Sequence, residues 1–161
     1  MVEYRLATIQ DLEQIWAMNI ADNPGDDRWI KWRDQYIGYN REGKAETFVV
    51  VIDGRPVGEG TLLYSSQCSA IRGRTVLADG QRIANVNAPR IIKEYEGQGH
   101  VSKLCKLMEQ RARQRGYNQL TIGVEECELR NRAIYEHWGY TELVLTEFED
   151  GETVLYYGKN I

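Results

Sequence analysis

The sequence predicts an α/β fold. Its mixed, mostly antiparallel sheet is flanked by helices, with the order β-α-α-β-β-β-α-β-α-β-β. Three observations predict it. Short apolar runs such as ETFVVVI at 46–52 and QLTIGV at 119–124 have the length and β-branched content of strands. Between such runs lie stretches whose apolar residues recur three and four apart, the period of a helix face. Asp-Gly pairs at Asp53-Gly54 and Asp150-Gly151 separate apolar runs, where that dipeptide marks a tight hairpin.

The elements follow in order. EYRLAT is a short alternating strand, and Thr8 with Asp11 three residues on forms an N-cap pair. Leu12, Ile15, Trp16 and Ile20 give the first helix its stripe. DNPGDD at 22–27 breaks the chain, and a second helix over 28–40 carries Trp29, Trp32, Tyr36 and Ile37 on one side. Those aromatics read as core packing, with a pocket wall as the alternative. ETFVVVI and RPVGEGTLLYS form a hairpin around Asp53-Gly54, and QRIANVNAPRII at 81–92 is a further strand with Pro89 as an interruption. Val101, Leu104, Cys105, Met108 and Ala112 stripe a third helix, which ends in arginines and Gly116. A short strand, a fourth helix over 129–138 closed by Gly139, and a hairpin around Asp150-Gly151 complete the chain.

Length and composition bound the function. One domain, 1–161, is expected, large enough to bury a core without metals or disulfides. Twenty basic against 24 acidic residues give a net charge of −4, which argues against nucleic acid as a partner. No stretch approaches the ~20 apolar residues of a membrane span, and MVEYRLATIQD lacks the apolar run of a signal peptide. Cys68, Cys105 and Cys127, odd in number and without CxxC spacing, suggest reduced thiols and a cytoplasmic protein. Cys105, inside a helical stripe, reads as a small buried hydrophobe. His100 and His137 have no partner at ligand spacing, so no metal site is expected.

The chemistry concentrates in EYEGQGHVSKL, residues 94–104. Gly97 and Gly99 sit between a strand and a helix start. Glycine permits positive φ and close approach, and a helix N-terminus offers about four free N–H groups with roughly half a positive charge. Together they suit an anion such as phosphate, although many such loops use glycine only to turn. Neither a P-loop nor a Rossmann fingerprint is present. Two glutamates are candidate bases. Glu59 lies between Gly58 and Gly60 in a strand, and Glu126 follows Glu125 at the end of another; either also reads as a solvated or structural carboxylate. Asn85 and Asn87 alternate on one strand face as candidate ligands for substrate or water.

The run RIIKEYEGQGHVSKLCKLMEQRARQRGYNQLTIGVEECELRNRAIYEHWGYTE resembles the core of the GCN5-related N-acetyltransferases, the GNAT superfamily. YRLATIQDLEQI resembles that family's first strand and helix, and VVVIDGRPVGEGTLL its second and third strands. The resemblance implies acetyl-CoA as co-substrate. Its pyrophosphate would lie on the backbone of Gly97, Gln98, Gly99, His100, Val101 and Ser102, and its pantetheine arm along Ile91, Ile92 and Lys93, with Asn131 close by. It implies that Tyr135, in the motif Tyr135-Glu136-His137-Trp138-Gly139-Tyr140, protonates the CoA thiolate. Four departures accompany it. Glu96 stands where the family has a basic or amide residue, Val101 where it closes the loop with Gly or Ala, and Glu128 and Asn131 where it commonly has Asn and Ala.

The implied function is acetyl transfer from acetyl-CoA to a primary amine of a small molecule, with a peptide amine or side chain as the variant, by direct attack in a ternary complex. Glu126 or Glu59, or water alone, would be the base. The alternative is a degenerate acyl-CoA-binding or regulatory module without turnover; a third reading, an interaction domain, rests on the Trp-rich second helix. The resemblance leaves the acceptor to residues 20–43 and 65–80, and it admits a homodimer.

Overall fold

The computed structural model describes residues 1–161. Its elements are β1 (Val2–Leu6), α1 (Ile9–Asp22), α2 (Arg28–Glu42), β2 (Ala45–Ile52), β3 (Arg55–Leu63), β4 (Ile83–Ile91), α3 (His100–Gln114), β5 (Gln119–Glu125), α4 (Leu129–His137), β6 (Glu142–Glu149) and β7 (Glu152–Asn160). A one-turn 3-10 helix, Lys93–Tyr95, precedes α3. The strands form one sheet in the order β1-β2-β3-β4-β5-β7-β6. The α/β order expected from sequence is the one observed. No helix is long and apolar enough to cross a membrane.

The chain forms two compact units, Met1–Leu62 with Ala88–Gln110 and Leu63–Asn87 with Arg111–Ile161. In the first, Thr8 and Asp11 close a full capping box on α1, each side chain taking the other's backbone N–H. Arg5 adds an ion pair to Asp11. β1 lies antiparallel to β2, from Val2 against Ile52 to Leu6 against Phe48. Asp53 and Gly54 both have positive φ, +50° and +80°, as a type I′ hairpin turn requires. Asn40 of α2 donates to the Thr47 hydroxyl and accepts the Thr47 N–H, and that hydroxyl bonds Thr61 at 2.8 Å. Helices α1 and α2 therefore cover the face of β2 and β3 that carries Thr47, Glu59 and Thr61. On the other face, α3 comes so close to β3 that a Cβ on Gly60 would lie 2.9 Å from the Met108 sulfur.

In the second unit, β5 pairs parallel with β4 over Ile83–Val86 and antiparallel with β7 along its whole length. β6 and β7 make a hairpin whose turn residues, Asp150 and Gly151, again both have positive φ. The 64–82 connection is held by its own side chains. Arg74 reaches the carbonyls of Ala70 and Ile71 and pairs with Glu149. Asp79 Oδ1 accepts the N–H groups of Gln81, Arg82 and Ile83 and so caps the entry to β4.

Two expectations are corrected. Cys68, not Cys105, is the buried cysteine; Cys105 is half-buried at the border of its helical stripe. Asn85 is no ligand for substrate: it is buried, and its amide donates to Thr121, whose hydroxyl donates to the Leu77 carbonyl.

Candidate functional site

The anion-binding candidate is built from backbone. β4 leaves its regular pleat at Ala88, whose φ is +51°, just before Pro89. An extra twist of this kind re-aims the residues that follow. Beyond it the Ile92 N–H donates to the Val57 carbonyl on β3 at 2.9 Å. Ile92 therefore has no amide left for a cofactor, contrary to expectation. Alternation along a strand turns the amide of Ile91 to the opposite edge. Lys93 enters the 3-10 turn and is exposed.

Glu96 is exposed and extended, and the chain then passes through Gly97 at φ +74° and Gly99 at φ +82°. A Cβ at either glycine would meet nothing within 4 Å. These glycines answer to backbone conformation, and the space beside them is open. Lys103 N–H to Gly99 O, 3.1 Å, is the first bond of the α3 ladder. The amides of Gly99, His100, Val101 and Ser102 precede it and have no intrahelical acceptor. They carry the positive end of a 15-residue helix.

Two side chains of this loop turn to structural work. His100 is buried, with Nδ1 2.7 Å from the Tyr4 hydroxyl and Nε2 3.3 Å from Gln98 Oε1. The Gln98 carbonyl accepts, so Nε2 donates and Nδ1 takes the Tyr4 proton. His100 and Gln98 can serve an anion through their amides, while their side chains pin α3 to β1.

Glu59 is 1% exposed. Its Oε2 accepts from Asn19 Nδ2 at 2.8 Å and lies 3.1 Å from Arg90 Nε. The second contact is an ion pair rather than an aligned hydrogen bond, because the Nε proton finds no acceptor in line. Arg90 lies against two indoles that also touch each other, its guanidinium carbon 5.6 Å from the Trp16 ring centre and 5.1 Å from that of Trp29, with the ring centres 6.3 Å apart. Arg90, Trp16 and Asn19 were not foreseen as site residues. The one signal was a pair of opposite charges inside two apolar strands, Glu59 and Arg90, with nothing local to compensate either.

The remaining candidates lie in the second unit. Tyr135 is half-buried on α4, its ring 5.6 Å from that of Trp138. Asn131 donates to the Glu128 carboxylate at 3.0 Å. Glu126 is exposed; its backbone N–H goes to the Thr153 carbonyl and its own carbonyl accepts from Arg132. Beside it, Glu125, Cys127 and Glu152 bring their polar atoms within 4.8 Å of one another. Desolvation, then Glu152 and Glu125, push the Cys127 thiol above its ordinary range. A thiol so placed is a poor nucleophile at neutral pH.

The sequence profile of the Acetyltransferase (GNAT) family matches residues 7–140. Solved structures with the same fold include an N-acetyltransferase from Staphylococcus aureus Mu50, at 16% identity and TM-score 0.73 over 99% of this chain and 98% of that one. The PaiA N-acetyltransferase from Thermoplasma acidophilum in complex with coenzyme A aligns at 16% identity and TM-score 0.66, covering 100% and 99%. The ribosomal-protein-S18-alanine N-acetyltransferase from Escherichia coli aligns at 15% and 0.72, covering 100% and 94%. At these identities the likeness to each is one of fold. No curated protein matches the chain in sequence.

Proposed function

The chain belongs to the GNAT family of acetyltransferases, and from that premise we propose that it is an acetyl-CoA-dependent N-acetyltransferase acting on a primary amine of a small molecule, with residues 1–161 as its one domain. The observation that carries this reading is the loop from Gly97 to Ser102. Two positive-φ glycines with open space beside them deliver four unladdered amides at the start of α3. That is a seat for a pyrophosphate. The complex of the Thermoplasma protein with coenzyme A supports the same ligand. Glu96, the departure that opposes it, is exposed. Its repulsion is therefore screened by water and salt.

The chemistry follows from the amine. An alkyl ammonium has a pKa near 10 and must lose its proton before it attacks the thioester. In this reading the neutral amine attacks the acetyl carbon, a C–N bond forms, and the oxyanion accepts a hydrogen bond from the Ile91 amide. The intermediate collapses with loss of the CoA thiolate, which takes a proton from Tyr135. The amine's proton passes to water, with Glu126 as the carboxylate that draws it off. Glu59, buried and already paired with Arg90, holds the site's shape.

Titration calorimetry with acetyl-CoA, followed by a mass-spectrometric screen of an amine library, tests the reading. Saturable binding and acetylated amines are the expected results. Absence of acetyl-CoA binding at millimolar ligand would overturn it.

A further inference from the structure

Arg90 is held where a substrate could use it. Its side chain is about one-third exposed, with Nε in the interior against Glu59. Its charge is paired with Glu59 through Nε, while Nη1 and Nη2 make no hydrogen bond within the protein. Two tryptophan rings lie against the guanidinium. Cation–π contact with two rings restrains the guanidinium and lowers the freedom it would lose on binding. Asn19 and Arg90 converge on one oxygen of Glu59, and the buried Trp16 Nε1–H has no acceptor at all. A buried donor without a partner has a free-energy cost, which an acceptor on a ligand would relieve. A carboxylate supplies two coplanar oxygens that match the guanidinium edge. The indole walls lower the local dielectric and strengthen such a pair. Arg90 is also the strand neighbour of Ile91, whose amide faces the reacting carbonyl in the acetyltransferase reading.

Resting on that reading, we propose that the acceptor is a small primary amine bearing a carboxylate, and that Arg90 binds this carboxylate through Nη1 and Nη2. Glu59 and Asn19 then serve as positioning residues that lock the guanidinium, and Trp29 as the wall beside the acceptor.

The experiment compares matched acceptors: an amino acid, its carboxamide, and the amine lacking the carboxyl group, with a short peptide that begins in an acidic residue as a fourth arm. The amino acid should show kcat/KM at least tenfold above its carboxamide, with most of the difference in KM. Arg90→Lys keeps the charge and loses the fork, and should bring the ratio close to one. Because Arg90→Gln alone would leave Glu59 buried and unpaired, Glu59→Gln/Arg90→Gln is the second variant. It is read by calorimetric binding of the amino acid to the enzyme–CoA complex, which should weaken at least tenfold. Equal kcat/KM for amino acid and carboxamide, with equal binding, would sink this proposal while leaving the acetyltransferase reading intact. Preference for the acidic peptide alone would overturn the small-molecule acceptor. Failure of acetyl-CoA to bind the wild-type protein would remove both readings, and that outcome is told apart by the cofactor titration.

Discussion

The Tyr156 ring fills the space in front of Gly123. A Cβ on that glycine would lie 2.7 Å from ring Cε1 and 3.0 Å from Cδ1. The two residues are direct cross-strand partners on β5 and β7. The ring is fixed at its far end, where the hydroxyl lies 2.9 Å from Glu149 Oε2 and the Arg74 guanidinium stacks 5.0 Å from the ring centre.

Gly123→Ala should therefore destabilise the protein, although alanine is the better strand residue by backbone entropy alone. Overpacking of this kind costs about 1–3 kcal/mol. Thermal unfolding should fall by roughly 3–10 °C for a chain of this size. Adding Tyr156→Val to the same chain vacates the space and should recover part of the loss. A Gly123→Ala protein with the wild-type Tm would mean that the ring gives way freely.

Burial, then the Glu149 carboxylate, push the Tyr156 phenol up to about 12, against the opposing pull of Arg74. The folded pKa thus exceeds the unfolded value near 10. The stability linked to this proton is fully present below pH 10 and is lost as pH rises from about 10 to 12. Phenolate absorbance should show one tyrosine ionising last, and Tyr156→Phe should flatten the alkaline decline in stability. If all ten tyrosines titrate together near pH 10 in the folded protein, Tyr156 is not shielded in solution.

Local features of the fold were legible because their causes are local. Thr8 and Asp11 stand three apart, so the capping box can be read from spacing, and Asp53-Gly54 specifies its own turn. The same holds for Gly97 and Gly99, whose positive φ is the reason for their being glycine. What escaped was long-range. Glu59 and Asn19 are 40 residues apart, and nothing near either residue names the other. Gly123 looks like a weak point in a strand until Tyr156 is placed against it. Asn85 looked available because its partner, Thr121, lies 36 residues on. The Ile92 amide is taken by a β3 carbonyl that only the register of the sheet reveals.

Gly99→Val should weaken acetyl-CoA binding. At φ +82° a β-branched residue is strained by about 1–3 kcal/mol, and the loop relieves that strain by moving its amides. The space beside Gly99 is open in the protein itself, so the valine meets no internal clash. Affinity should drop at least tenfold in calorimetry while circular dichroism stays native. Unchanged affinity would move the pyrophosphate seat elsewhere.

Glu96→Arg should tighten acetyl-CoA binding by replacing repulsion with attraction. Because Glu96 is exposed, the gain should be a few-fold at low salt and should shrink as ionic strength rises past ~0.1 M. A gain that ignores salt would point to a rearranged loop rather than to charge.

Tyr135 carries the last prediction. It lies on α4, with Gly139 four residues on, and its half-buried ring packs beside Trp138. Packing alone would explain an aromatic there, and a phenylalanine would pack as well. A phenol of pKa near 10 can protonate a departing thiolate, whose pKa lies near 8.5 for a simple thiol such as cysteine, with little energetic mismatch. That proton moves only in the transition state, so removing it should lower kcat and leave acetyl-CoA affinity near wild type. Tyr135→Phe is expected to reduce kcat by about 10- to 1,000-fold, the range for one positioned proton donor. Steady-state rates and cofactor titrations on the same preparation give the two numbers. An unaltered kcat, with chemistry shown to be rate-limiting by the absence of a burst, would take Tyr135 out of the reaction and leave water as the acid.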